Sequence, residues 1–223
     1  MNVAIISAII GGIDEPKELP QQKGPADLLT FFANDTNPTG SPGSSDRVKA
    51  LYFKTQMHTF DYYVEGVKFT PDLFIWIDGK IQVLSNDFVQ KCIDQLGDND
   101  IAILKHHERT CVYQEVDHIY HCIRKGNKYL ATRYADRPLR YQANFYREMG
   151  YPKNNGLHDC KIFIVRNTPE MNDIFDLWWE DCKIDWFDQI AIQFRCWQQC
   201  VKIQDLILQP GIDYNDVPHK ILK

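Results

Sequence analysis

The sequence has no apolar run approaching the ~20 residues that cross a bilayer as a helix. It also has no Lys/Arg cluster dense enough to form a nucleic-acid stripe. The first absence argues against a transmembrane segment. The second, with a net charge of −5, argues against broad nucleic-acid binding, which depends on neutralising phosphates. A local basic pocket for one diphosphate stays open. The seven cysteines include no C-x-x-C pair and are odd in number. Most sit in apolar patterns and read as reduced core thiols of a reducing compartment. Three signatures are also missing. No G-x-G-x-x-G opens a helix, since "IIGGID" supplies only a glycine pair, so a dinucleotide dehydrogenase is poorly supported. There is no G-x-x-x-x-G-K-[ST] for a P-loop NTPase and no G-x-S-x-G elbow for a serine hydrolase.

What is present fits one globular unit. With 223 residues, 44% hydrophobic and 25% charged, the chain can bury a sizeable core, and we expect a single domain over 1–223. Apolar runs and helical periodicities alternate along it. "VAIISAII", "LLTFFAN", "LFIWI", "IAIL", "KIFIVR" and "DLILQP" read as strands. Helices are expected in "DRVKALYFKTQMH", after a Ser85 cap, through Val112 to Ile123, in "DRPLRYQANFYREMG", after Thr168-Pro169, and after an Asp185 cap. Cys196 and Cys200 would share one face of that last helix. Asn34 to Asp46, rich in Ser, Pro, Gly and Asn, reads as a surface loop. Such alternation argues an α/β fold with a central, mostly parallel sheet flanked by helices. Ligands of these sheets bind beyond the carboxyl ends of the strands.

Asp78 stands at such an end, after "LFIWI". A carboxylate there can hold a divalent cation or a ribose hydroxyl, or simply begin a turn with Gly79. Lys105, His106 and Arg109 in "LKHHERT" follow another strand, where they can meet a diphosphate or an acceptor sugar, or form a solvated turn. Asp188 in "DWFDQIAIQF" can deprotonate an acceptor hydroxyl, or serve the first turn of a helix through the macrodipole. His158 and Asp159 precede a strand and can line the same cleft. Phe175, Trp178, Trp179, Trp186 and Trp197 lie at helical spacings and read mostly as core.

Six segments in order, "AIISAIIGGIDEPKELP", "DLFIWIDGKIQV", "LKHHERTCVYQE", "NGLHDCKIFIVRN", "LWWEDC" and "DQIAIQF", resemble the TOD/MUCI-type glycosyltransferase-like family. That family has members in plants, bacteria and large DNA viruses, and the compact size resembles the viral ones. The resemblance implies a glycosyltransferase-A (Rossmann-like) fold and transfer of a sugar from a UDP-hexose or UDP-deoxyhexose donor to a hydroxyl of a glycan or glycoprotein. It implies Mn²⁺ or Mg²⁺ on the diphosphate, and a cytoplasmic site of action, the host cytoplasm for a viral protein. Ala8, Ile9, Gly11 and Gly12 would cradle the nucleotide. Asp78 falls where the metal-binding Asp-x-Asp motif is expected, but Lys80 replaces the second acid. A further ligand such as Gln82 or His106 would then be needed, or Lys80 itself would supply positive charge. Lys105 and Arg109 would serve the phosphates or acceptor, and Asp188 the acceptor hydroxyl. A sugar nucleotidyltransferase lacks its Gly-rich amino-terminal loop here, whereas a non-catalytic nucleotide- or glycan-binding domain would explain Lys80 as a decayed site.

Overall fold

The computed structural model describes residues 1–12, 14–24, 27–37 and 45–217. In chain order its elements are strands β1 (Asn2–Ala8) and β2 (Asp27–Ala33), helix α1 (Asp46–Thr55), the hairpin β3 (Tyr62–Val64) and β4 (Val67–Phe69), β5 (Leu73–Ile77), β6 (Ile81–Val83), α2 (Phe88–Leu96) and β7 (Ile101–Lys105). There follow α3 (Val112–Arg124), α4 (Lys128–Tyr134), α5 (Leu139–Glu148), β8 (His158–Arg166), α6 (Pro169–Lys183), α7 (Asp188–Gln198), β9 (Ile203–Leu206) and β10 (Tyr214–Asp216). Six strands form one sheet in the order β2-β1-β5-β8-β7-β9. All pairings in it are parallel except those of β8, which runs against both neighbours. The fold is thus the mixed α/β, mostly parallel sheet expected, with one reversed strand at its centre.

The continuous apolar runs of β1 and β5 follow from burial on both faces. Ala4, Ile6, Phe74 and Trp76 point to a core shared with α1, α6 and α7, while Val3, Ile5, Leu73 and Ile75 point to one shared with α2. A third cluster joins α3, α5 and α7, where Tyr146 and Phe194 stack with centroids 4.0 Å apart. The expected aromatics Phe175, Trp178, Trp179 and Trp186 are indeed buried.

Several expected boundaries move. Asp87 rather than Ser85 is the N-cap of α2. Asp185 does not cap α7: it sits at φ +62°, and Phe187 occupies the cap position. α7 ends at Gln198, and Cys200 lies beyond it at φ +57°, so Cys196 and Cys200 share no helix face. β8 starts at His158, so His158 and Asp159 belong to the strand. Of the Asn34–Asp46 loop, residues 38–44 lie outside those described; Ser45 caps α1 through Val48 N–H, and Asp46 opens the helix.

Reversal of β8 has a consequence for the site. Its amino end lies beside the carboxyl end of β5, because Ile77 pairs with Ile162 and Asp78 N–H donates to Lys161 O at 2.8 Å. One edge of the sheet therefore presents the ends of β1 and β5, the start of β8, and the amino end of α7.

Candidate active site

A cavity of about 420 Å³ opens at this edge. Its floor and walls include Ala8, Ile9 and Ile10 after β1, Asp78 to Lys80 after β5, and Asp159 to Lys161 of β8. Helix α1 adds Arg47, Leu51 and Lys54, α7 adds Asp188, and α4 adds Tyr129, Arg133 and Tyr134.

Asp78 is explained first by its own strand. Residues i and i+2 share a strand face, and Trp76 Nε1–H donates to Asp78 Oδ1 at 2.7 Å. The carboxylate thus satisfies an indole buried in the core while its side chain remains 32% exposed to the cavity. Gly79 is required for close approach rather than for an unusual dihedral. A Cβ there would stand 2.7 Å from Ile9 Cγ1 and 3.1 Å from Ala8 O. Asp-Gly is therefore more than a turn signal, since it lets the loop after β5 press against the end of β1.

Lys54, which sequence reasoning missed, joins the two acids it singled out. Its Nζ lies 3.0 Å from Asp188 Oδ2 and 3.7 Å from Asp78 Oδ1, and the side chain is only 6% exposed. Burial alone would lower the Lys54 pKa, but Asp188 and Asp78 outweigh it and hold the ammonium well above its ordinary value. Burial likewise opposes ionisation of Asp188, yet Lys54 and Arg47 hold its carboxyl well below the ordinary range. Arg47 Nη2 stands 4.0 Å from Asp188 Oδ1. A signal existed: Arg47 and Lys54 lie seven residues apart on α1, two turns along one face. The mixed composition of that helix hid it.

The remaining expected residues divide. Ala8 and Ile9 line the cavity, whereas Gly11 and Gly12, at φ +73° and +63°, are not among its lining residues. Gly11 N–H is fastened to the Asp35 carboxylate at 3.0 Å. Lys80 lines the cavity but is bound to Asp216 at 3.1 Å. Lys105 and Arg109 are not brought to it. Lys105 pairs with Asp205 at 2.7 Å, and Arg109 pairs with Glu115 at 2.5 Å and Glu108 at 2.7 Å. Neither of the two residues expected to serve the phosphates or the acceptor lines this cavity, since the end of β7 and the loop after it lie along another part of the sheet edge. His158 is buried between Gln193 and Asp205, each at 3.0 Å, whereas Asp159 does reach the cavity and pairs with Lys161.

The carboxylates present set what a divalent cation would find. Among the described residues no group of three or more His, Cys, Asp or Glu is arranged for a metal ion. Among the described residues, the hydrogen bond and the ion pair of the Asp78 carboxylate both fall on Oδ1, which leaves Oδ2 to meet a cation or a ribose hydroxyl. Mg²⁺ binds through as few as one carboxylate when substrate phosphates and water complete its shell. The site fits a cation carried in with phosphates, and does not fit one held by protein alone.

No match was found among curated protein sequences. Mouse xyloside xylosyltransferase 1, in its apo form, is 9% identical with a TM-score of 0.45, over 92% of this chain and 85% of that one. The bifunctional glycosyltransferase WbbM, also apo, is 10% identical with a TM-score of 0.43, over 86% of this chain and 37% of that one. Residues 69–199, which include β5 with Asp78, the reversed strand β8 and α7 with Asp188, match the model of one family, and the chain belongs to it: the TOD1/MUCI70 glycosyltransferase-like domains.

Proposed function

We propose that the protein transfers a sugar from a nucleoside-diphosphate donor, a UDP-hexose or UDP-deoxyhexose, to a hydroxyl of a glycan acceptor. The observation that carries this is the Asp78–Lys54–Asp188 chain at the floor of a cavity bounded by the ends of β1 and β5. The hydroxyl oxygen forms a bond to the anomeric carbon and passes its proton to water. The bond from that carbon to the diphosphate oxygen breaks, and the nucleoside diphosphate leaves with the electron pair. Charge that builds on the leaving oxygen needs positive groups fixed in advance.

In this reading Ala8 to Ile10 lie against the nucleoside, and Asp78 Oδ2 takes the ribose or a Mn²⁺ or Mg²⁺ ion, which would neutralise the diphosphate. Asp188 serves differently from the general base expected from sequence. A carboxylate so strongly favoured in its charged form binds a proton weakly and abstracts one poorly. Its stronger role is to hold Lys54 ionised and in place. Tyr129, 45% exposed at the cavity wall, offers a ring face to a sugar.

Calorimetric titration of UDP and UDP-sugars, in Mn²⁺ and in EDTA, followed by a transfer assay with the sugar that binds, tests this reading. Binding in either medium is expected. Full transfer activity in Asp78→Ala, or no nucleotide binding in any medium, would refute it. The alternative, a nucleotide- or glycan-binding domain without catalysis, is favoured by nucleotide binding without turnover on any acceptor.

A further inference from the structure

Two cavity lysines share one carboxylate. Asp216 Oδ1 lies 3.1 Å from Lys80 Nζ, and Lys161 Nζ reaches Asp216 Oδ2 at 3.5 Å. All three residues line the cavity. The backbone ties both lysines to Asp78. Lys80 follows it by two positions, and Asp78 N–H donates to the Lys161 carbonyl at 2.8 Å. Their ammonium groups thus converge on an anion in the wall that also carries Asp78, the acid that in the proposed reading meets the ribose or the cation.

Asp216 reaches them from outside the main sheet. It ends β10, which pairs with β6 in a separate two-stranded ribbon. That ribbon is fixed at its other end, where Tyr214 is buried and the buried Asp213 carboxylate accepts from Lys91 Nζ at 2.7 Å and Gln209 N–H at 2.8 Å. Asp216 itself has a side chain 39% exposed. An ion pair this open to water contributes little and is readily exchanged. A diphosphate carries more charge than one carboxylate, and ammonium groups bind phosphate as point charges. Lys161 also pairs with Asp159 at 3.0 Å, which keeps it oriented when Asp216 leaves.

We infer that Asp216 is an internal stand-in for the donor diphosphate, holding Lys80 and Lys161 until the donor's phosphates replace its carboxylate on them. The inference rests on the glycosyltransferase reading and deepens it. It assigns leaving-group charge to Lys161, which sequence reasoning did not single out, together with Lys80. Without a donor, the carboxylate compensates two ammonium groups that would otherwise repel each other. An internal competitor lowers apparent affinity by the fraction of molecules in which it is disengaged, so its removal strengthens binding.

The test uses the full chain. UDP and inorganic pyrophosphate are titrated by calorimetry into the unaltered protein, Asp216→Asn, Asp216→Ser, Lys161→Gln and Lys80→Gln, each in Mn²⁺ and in EDTA. Melting temperatures of the ligand-free proteins are recorded alongside. Both Asp216 variants should bind UDP and pyrophosphate more tightly, by about threefold, while melting no higher than the unaltered protein. Lys161→Gln and Lys80→Gln should bind both ligands more weakly, by about tenfold. Tighter binding without a gain in stability marks a displaced competitor, since a merely structural carboxylate would lose affinity along with stability. Unchanged or weaker UDP binding in both Asp216 variants overturns the inference while leaving the glycosyltransferase reading intact. So does a weakening confined to Mn²⁺, which would make Asp216 a ligand of the cation. If the unaltered protein binds neither UDP nor pyrophosphate in any medium, the underlying reading fails and the inference with it.

Discussion

Replacing Lys54 with Met tests the charge arrangement most directly. The substitution keeps the length and apolar stem of the side chain and removes the ammonium that lies 3.0 Å from Asp188 and 3.7 Å from Asp78. Asp78 is partly exposed and can be rehydrated. Asp188, 10% exposed, cannot, and retains Arg47 at 4.0 Å and the weaker influence of Arg133. Removing one partner of a buried pair costs about 3–5 kcal/mol. We expect about 3 kcal/mol at neutral pH, near the low end of that range, because Arg47 remains. That corresponds to a melting temperature lower by on the order of 10 °C.

The pH dependence carries the sharper sign. In the unaltered protein the depressed Asp188 contributes stability that is full above the ordinary carboxylate pKa and is lost as pH falls through the folded value. Without Lys54, burial pushes the same carboxyl upward, so the variant gains relative stability as protons become available. The deficit should therefore shrink between pH 7 and pH 5. Urea midpoints for both proteins at the two pH values measure it, and Lys54→Met/Asp188→Asn should recover part of the loss. A deficit below about 1 kcal/mol at pH 7, or one that grows on acidification, refutes the buried-pair account.

Other expectations follow from particular contacts. Asp78→Asn keeps an acceptor for Trp76 Nε1–H but weakens the hold on Lys54; activity should fall at least tenfold while stability changes little, as transfer rates and thermal melts would show. Gly79→Ala puts a Cβ 2.7 Å from Ile9 Cγ1 and 3.1 Å from the Ala8 carbonyl. It should weaken UDP binding and lower stability by about 1–3 kcal/mol, read by calorimetry and denaturation. Gly11→Ala meets both a left-handed φ of +73° and the Asp46 carboxylate at 2.5 Å, and should cost a similar ~1–3 kcal/mol in denaturant. Native thiol titration should find Cys200 fast and Cys122 slower. The other five cysteines are buried, with the Cys160 and Cys182 thiols pushed well above their ordinary pKa by burial, and should react only on unfolding.

The strand "LFIWI" was legible in full because five consecutive apolar residues admit little else between Pro71-Asp72 and Asp78-Gly79, and β5 occupies Leu73–Ile77. Helix α6 was equally plain, since Thr168 and Pro169 mark its start by chemistry local to the chain, and Met171 N–H donates to the Thr168 hydroxyl. Asp78 was legible as a candidate because an acid at the end of an apolar run asks for a partner, and Asp188 because an acid opening a late helix can serve an acceptor hydroxyl. That partner was not legible. Lys54 sits 134 positions from Asp188, and no local pattern distinguishes a buried lysine from the solvated lysines of an ordinary helix.

Strand direction was hidden for the same reason. The apolar run of β8 reads alike whichever way it enters the sheet, yet its reversal brings Asp159 and Lys161 to the cavity. Lys105 and Arg109 show the converse. Their sequence promised a basic site after a strand, and tertiary packing spent them on Asp205, Glu108 and Glu115. Local sequence determined which segments are strands and helices, and which acids needed an explanation. Only the tertiary structure decided which charges meet, because pairing across the fold depends on distance in space, which periodicity along the chain does not encode.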